Sequence, residues 1–286
     1  MTFEHRLDVA VADSMALEHD LGANRARGQI NLSVGRVAGV TRRKRVHESG
    51  SLRVRFPGPP SGELEAVLLN TAGGMTGGDA FDIDISIGED AQLVVTTAAA
   101  EKIYRSLGPR AVIDLRIKVA SGGAVAWLPQ ATILFDSAVL FRRIEVQLAE
   151  TARLLLVEPL VFGRTGMGEL LKRGELNDSW RIMRKGQLIY AEGTKMGGEI
   201  SDALSESAVA NGGVAVATAF VAPGDQSLVD TVRALGSEFQ GEVGASAWNG
   251  HALLRFCARD GAGLRHDIAC ALRTLRTAPL PRLWIN

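Results

Sequence analysis

The chain has 286 residues with 32 basic and 32 acidic side chains, so no overall field draws it to nucleic acid or to an anionic membrane surface. Two cysteines, Cys257 and Cys270, are too few for a disulfide framework and suit a reducing compartment. Charges recur every few positions from Met1 to Gly22 and no long apolar run follows, which predicts a cytoplasmic protein with neither signal peptide nor membrane span.

Residues 1–24 read as a weakly ordered arm. From Gln29, "QINLSVGRVAGVTRRKRVHESGSLRVRFPG" predicts two or three strands, with the basic run Arg42 to Arg45 on a solvated strand face. Next comes "NTAGGMTGGDAFDIDISI", two glycine pairs directly before an alternating run. Phosphate cradles open a helix after their glycines. Here Gly78-Asp79 opens a strand, and no Lys-Ser/Thr pair follows. Gly73, Gly74, Gly77 and Gly78 therefore predict a structural turn that uses positive φ and close backbone approach. Asp79, at its end, either caps that turn or turns its carboxylate to the interior.

Phe81, Ile83, Ile85 and Ile87 alternate with Asp82, Asp84 and Ser86, the period of a strand with one wet face. A turn at Gly88-Glu89-Asp90 and a second apolar run complete what reads as a β-hairpin. "DLRIKVASGGAVAWLP" and "RIEVQLAETARLLLVE" repeat the unit, and "WRIMRKGQLIYAE" is a weaker copy. The last apolar residues before the turns, Ile87, Val119 and Leu148, are 32 and 29 apart, a period expected of stacked supersecondary units. Beyond Glu192, "QSLVDTVRALGSEF" and "GLRHDIACALRTLR" have helical spacing, and Asn249-Gly250 sits at the centre of a hairpin. The fold class is thus mainly β: stacked hairpin repeats over residues 25–192 form an elongated body. A C-terminal helix–hairpin–helix portion over 193–286 packs at its end, all within one domain, 25–286.

Three constellations carry chemistry. His251, Cys257, His266 and Cys270 form a weak candidate metal set, since they lack the close first pair of zinc motifs; buried cysteines that only pack are the default. Asp136, Glu158 and Glu192 fall in related register, so stacking either aligns them or leaves each to cap its own turn. "TTAAAEKIYRS" holds Thr96, Thr97, Lys102, Tyr104 and Arg105, but no histidine lies between residues 48 and 250 and no nucleophile elbow occurs. A hydrolase is not indicated.

"NTAGGMTGGD", "TTAAAEKIYRS", "AWLPQATILFDSAVLFRR" and "LLLVEPLVFGRTGMGE" strongly resemble, in order and spacing, the UreD (UreH) family of urease accessory proteins, from about Arg25 to the C-terminus. Ala72 stands where that family often has proline. The resemblance implies a non-enzymatic scaffold or chaperone of nitrogen metabolism. It would bind apo-urease subunits and a helical UreF-like protein, and through that a nickel-carrying UreG-like GTPase. It also implies an internal passage for Ni²⁺ in transit with no permanently bound cofactor, for which Asp79, Thr97, Lys102, Asp136 and Glu158 are the candidate residues. Ni²⁺ prefers imidazole and thiolate to carboxylate, so scattered Asp, Glu and Thr oxygens suit transfer better than storage. Two protein-facing surfaces at zero net charge imply self-association. The alternatives are a metal-independent β-scaffold and a small-molecule enzyme.

Overall fold

The structure, a computed structural model, describes residues 25–58 and 63–285; the arm expected over residues 1–24 lies outside the described residues. Seventeen strands among them form two sheets. The first contains β1 (Arg27–Val37), β2 (Val40–Gly50), β5 (Ala80–Ile87), β8 (Ala111–Val119), β11 (Ala138–Leu148), β13 (Arg173–Arg184) and β14 (Gln187–Glu199). The second contains β3 (Leu52–Arg55), β4 (Glu63–Asn70), β6 (Gln92–Thr97), β9 (Ala124–Trp127), β12 (Arg153–Phe162), β15 (Ala215–Ala222), β16 (Glu242–Trp248) and β17 (His251–Ala258). The short strands β7 (Glu101–Ile103) and β10 (Thr132–Leu134) join its margin.

The repeats stack as their spacing implies, but the pairing inside each differs from a hairpin. β5 bonds in parallel to β1 and β8, whereas β6, the next long strand in the chain, bonds in parallel to β4 and β9 in the other sheet. Each expected hairpin at Gly88, Ala120 and Glu150 is therefore an arch from one sheet to the other. The physical reason is in the side chains. First strands alternate, with Asp82, Asp84 and Ser86 turned outward, whereas in second strands such as β6 the run Leu93, Val94, Val95 is buried throughout, as in a strand covered on both faces. Only the weakest copy is a true hairpin: β13 and β14 are antiparallel around Lys185-Gly186, whose φ values are 52° and 77°. The register follows the sequence repeat. Ile87 lies opposite Val119 and Val119 opposite Leu148, and the same row continues to Val34 and Arg184.

The C-terminal portion extends the second sheet rather than packing at its end: β15 pairs antiparallel with β12, then β17 with β15 and β16 with β17. Asn249 and Gly250 make the expected turn with positive φ. Helices α1 (Ile200–Ser205), α2 (Gln226–Ala234), α3 (Gly261–Leu275) and α4 (Arg282–Ile285) follow in chain order. Asp225 caps α2 and Asp260 caps α3. Their apolar faces, including Val229, Val232, Leu264 and Ile268, bury the outer face of the second sheet at Val157 and Val161. A larger core fills the space between the sheets. No helix among the described residues is long and apolar enough to cross a membrane. The basic run Arg42 to Arg45 is exposed on β2, as expected.

Candidate functional site

Three strands each place one charged side chain at a buried position between apolar ones. On β11 Arg142 stands between Leu140 and Ile144; on β12 Glu158 stands between Leu156 and Leu160; on β13 Asp178 stands between Leu176 and Trp180. Their side chains are only 4%, 4% and 6% exposed. Arg142 is the direct cross-strand partner of Asp178 and grips it with both arms of its fork, Nε to Oδ1 at 3.0 Å and Nη2 to Oδ2 at 2.5 Å. Its remaining nitrogen, Nη1, donates to Glu158 Oε2. Trp127 Nε1 donates to Glu158 Oε1 at 2.6 Å and Trp180 Nε1 to Asp178 Oδ1 at 3.3 Å.

With both carboxylates ionised the group carries a net charge of −1, deep in a medium that disfavours any unpaired charge. Burial drives the Glu158 carboxyl above its usual range; Arg142 opposes that shift and Asp178 adds to it. For Arg142, burial works against the charge, but the attraction of Asp178 and Glu158 outweighs it and keeps the guanidinium firmly protonated.

The ion group stands between two cavities that lie between the sheets and open to solvent, through Lys102 on one side and Glu242 and Arg255 on the other. The first, about 240 Å³, is walled by the glycine loop at Gly73 and Gly74 and by Thr97, Lys102, Arg142 and Glu158. The second, about 540 Å³, is walled by Glu158, Asp178, Glu192, Thr218, Glu242 and Arg255. Among the described residues, Glu158 alone is common to both linings. In the first cavity Thr97 Oγ1 donates to Ala99 O and accepts from Gln130 N, each at 2.9 Å, and Lys102 is exposed.

Glu101 lies on the same wall and accepts from Asn70 Nδ2 at 2.9 Å. Burial lifts its pKa to about 7, with Asp79 adding to the rise while Asn70 and Lys102 oppose it. Because the folded-state value is raised, this group's contribution to stability is complete below about pH 4.5 and is lost as pH climbs through about 7. A Glu101→Gln variant is expected to lose less stability than the parent between pH 5 and pH 8. Urea midpoints at the two pH values measure this, and equal losses would refute it.

Asp79 and Asp136 do not line either cavity. Asp79 is 4% exposed; its Oδ1 accepts from Ala26 N and its Oδ2 from Thr76 N, both at 2.8 Å, so it ties the glycine loop to the start of β1. Asp136 Oδ1 accepts from Lys172 N at 2.8 Å and from Arg173 N at 3.0 Å. These backbone N–H groups, that of Arg173 foremost, hold the Asp136 carboxyl below its usual range. It borders a surface cleft beside Arg25, Arg27, Arg105 and Arg164, the last paired with Glu169, so that basic side chains outnumber acidic ones around it. Gly73, Gly74 and Gly78 have φ of 77°, 153° and 92°. Gly77 needs room instead, because a Cβ there would lie 2.2 Å from Pro109 O.

The histidine and cysteine set does not assemble. His251 packs on Trp248 and Phe220 with ring centroids 4.5 and 5.1 Å away. Cys257, six positions along β17 and roughly 20 Å distant at the rise of a strand, donates to Ala210 O at 3.4 Å. His266 Nε2 and Cys270 Sγ are 3.5 Å apart on α3. Among the described residues no three metal-donor side chains gather. Of the interior charges, sequence reasoning reaches Glu158 and misses Arg142 and Asp178. The signal was available: for Arg142 and Asp178 a charged residue in the buried phase of an alternating strand, and for Glu158 a lone charge inside the apolar run from Leu154 to Phe162.

The family model described as UreD urease accessory protein matches residues 26–285. The chain is 54% identical over 271 residues to Urease accessory protein UreD of Rhodopseudomonas palustris strain BisB5, spanning 95% of this chain and 96% of that one. It is 52% identical over 264 residues to Urease accessory protein UreD of Bradyrhizobium diazoefficiens, spanning 92% and 95%. A match along nearly the whole length of both partners, at about half identity, leaves no room for a shared fragment alone: the chain belongs to the UreD family of urease accessory proteins.

Proposed function

We propose that this protein is a non-enzymatic maturation factor of cytoplasmic urease, which docks on the apo-enzyme together with a UreF-like helical partner and a UreG-like GTPase, and lets Ni²⁺ pass through its interior. The observation that carries the passage is the pair of cavities between the sheets, which share Glu158. The Ni²⁺ is cargo. Oxygen atoms of Thr97, Glu158, Asp178 and Glu192 offer it ligands harder than imidazole or thiolate, which favours release over retention. Asp79 serves this reading indirectly, by holding the glycine loop that walls the first cavity, whereas Asp136 holds a turn at the separate surface cleft.

The test separates docking from transport. A Glu158→Gln chain keeps the shape of the side chain and an acceptor for Trp127, but it removes the charge that both cavities share. Co-expressed with urease and the other accessory proteins, it is expected to assemble at normal yield while the purified urease contains several-fold less nickel and is correspondingly less active, since charge lost in a low-dielectric interior matters more than in water. Full nickel loading with a normal complex would refute the passage and favour a metal-independent scaffold.

A further inference from the structure

Arg142 lines the first cavity, Asp178 the second, and Glu158 both. An ion crossing from one cavity to the other meets the two carboxylates with a guanidinium already bound between them. We propose, resting on the passage reading above, that Arg142 is a displaceable plug that sets the charge a passing ion must carry.

The argument is one of charge and geometry. With Arg142 seated and both carboxylates ionised, the group sums to −1. A divalent cation that takes the place of the guanidinium brings the carboxylate pair to zero. A monovalent cation leaves it at −1 and forfeits the planar fork that matches the two carboxylates. In a buried setting the leftover unit charge is expensive, so exchange favours the divalent ion. Cation and guanidinium together would leave an excess of positive charge, so the two alternate. The long arginine stem gives the head somewhere to go: it already forms part of the first cavity's wall, which Glu101 also lines.

Equilibrium dialysis of Ni²⁺ against the purified full-length chain tests the plug, with thermal unfolding in parallel. Arg142→Gln leaves the two carboxylates without their cation, so it is expected to bind Ni²⁺ about tenfold or more tightly than the parent and to show a larger Ni²⁺-dependent rise in Tm. The gain should vanish in the triple variant Arg142→Gln/Glu158→Gln/Asp178→Asn. A folded Arg142→Gln chain that binds Ni²⁺ no better than the parent overturns the proposal, and so does a gain that survives in the triple variant. If Arg142→Gln does not accumulate as folded protein, Arg142→Lys decides. Its ammonium serves one carboxylate at a time, so a smaller gain of the same sign supports the plug and no gain refutes it. The nickel content of urease made with Glu158→Gln can fail while this binding result stands, and the reverse, so the two readings are separable.

Discussion

An Arg142→Met chain is expected to lose about 3–5 kcal/mol of stability, because removing one partner of a buried ion pair strands the charge of the other. Here two carboxylates would be stranded, 4% and 6% exposed, with indole N–H groups as their remaining donors. The informative comparison is the triple variant Arg142→Met/Glu158→Gln/Asp178→Asn. It buries no charge, and the amide oxygens still accept from Trp127 and Trp180, so most of the lost stability should return. Urea unfolding of the parent and both variants decides it. If the single variant is as stable as the parent, the three side chains are wetter than their burial indicates. If the triple variant is no better than the single one, packing around Arg142 and not its charge holds the interior.

The second large effect is expected in the glycine loop, from one methyl group placed at two sites four residues apart. Gly77→Ala would put its Cβ 2.1 Å from Ser106 Oγ and 2.2 Å from Pro109 O. The serine can rotate away, but the carbonyl belongs to the backbone of the facing loop, where Gly78 N also bonds Arg110 O at 2.9 Å. Overpacking of this kind costs about 3 kcal/mol. Gly73→Ala meets nothing within 4 Å and strains only a φ of 77°, at a cost of about 1 kcal/mol. Thermal unfolding of both variants should rank them in that order, and equal shifts would mean that the loop is free to move away from Pro109.

Much of the fold is legible because period-two burial is a local property. Phe81 to Ile87 declares its inner face, the 32- and 29-residue spacings give the cross-strand row through Ile87, Val119 and Leu148, and Asn249-Gly250 marks its own turn. Which sheet a strand enters is not local. A turn such as Gly88-Glu89-Asp90 serves an arch as readily as a hairpin, and only the apolar, two-sided character of Leu93 to Val95 argues for the arch. β15 is harder still: Ala215 to Ala222 has almost no alternation, because the sheet covers one face and the helices the other. The site shows the same divide. Arg142 precedes Arg143, so the pair reads as surface charge, yet Arg143 is exposed and Arg142 buried. Its partners lie 16 and 36 residues away, beyond the reach of any spacing rule for a single strand.

The arches have a temporal consequence. An arch leaves its two strands without partners in the chain beside them, so each rung waits for the next repeat before its hydrogen bonds close, and such distant pairings form slowly. In synthesis the N-terminal strands are made first. The first chamber can therefore be walled once β12 has emerged, since Glu158 is the last of its lining residues in the sequence. The second requires β13 to β17, up to Cys257. During that interval Glu158 has Arg142 and Trp127 but not Asp178, and its far side lies open to water. A chain cut after β12 is therefore expected to keep every described lining residue of the first chamber and to lack most of the second wall.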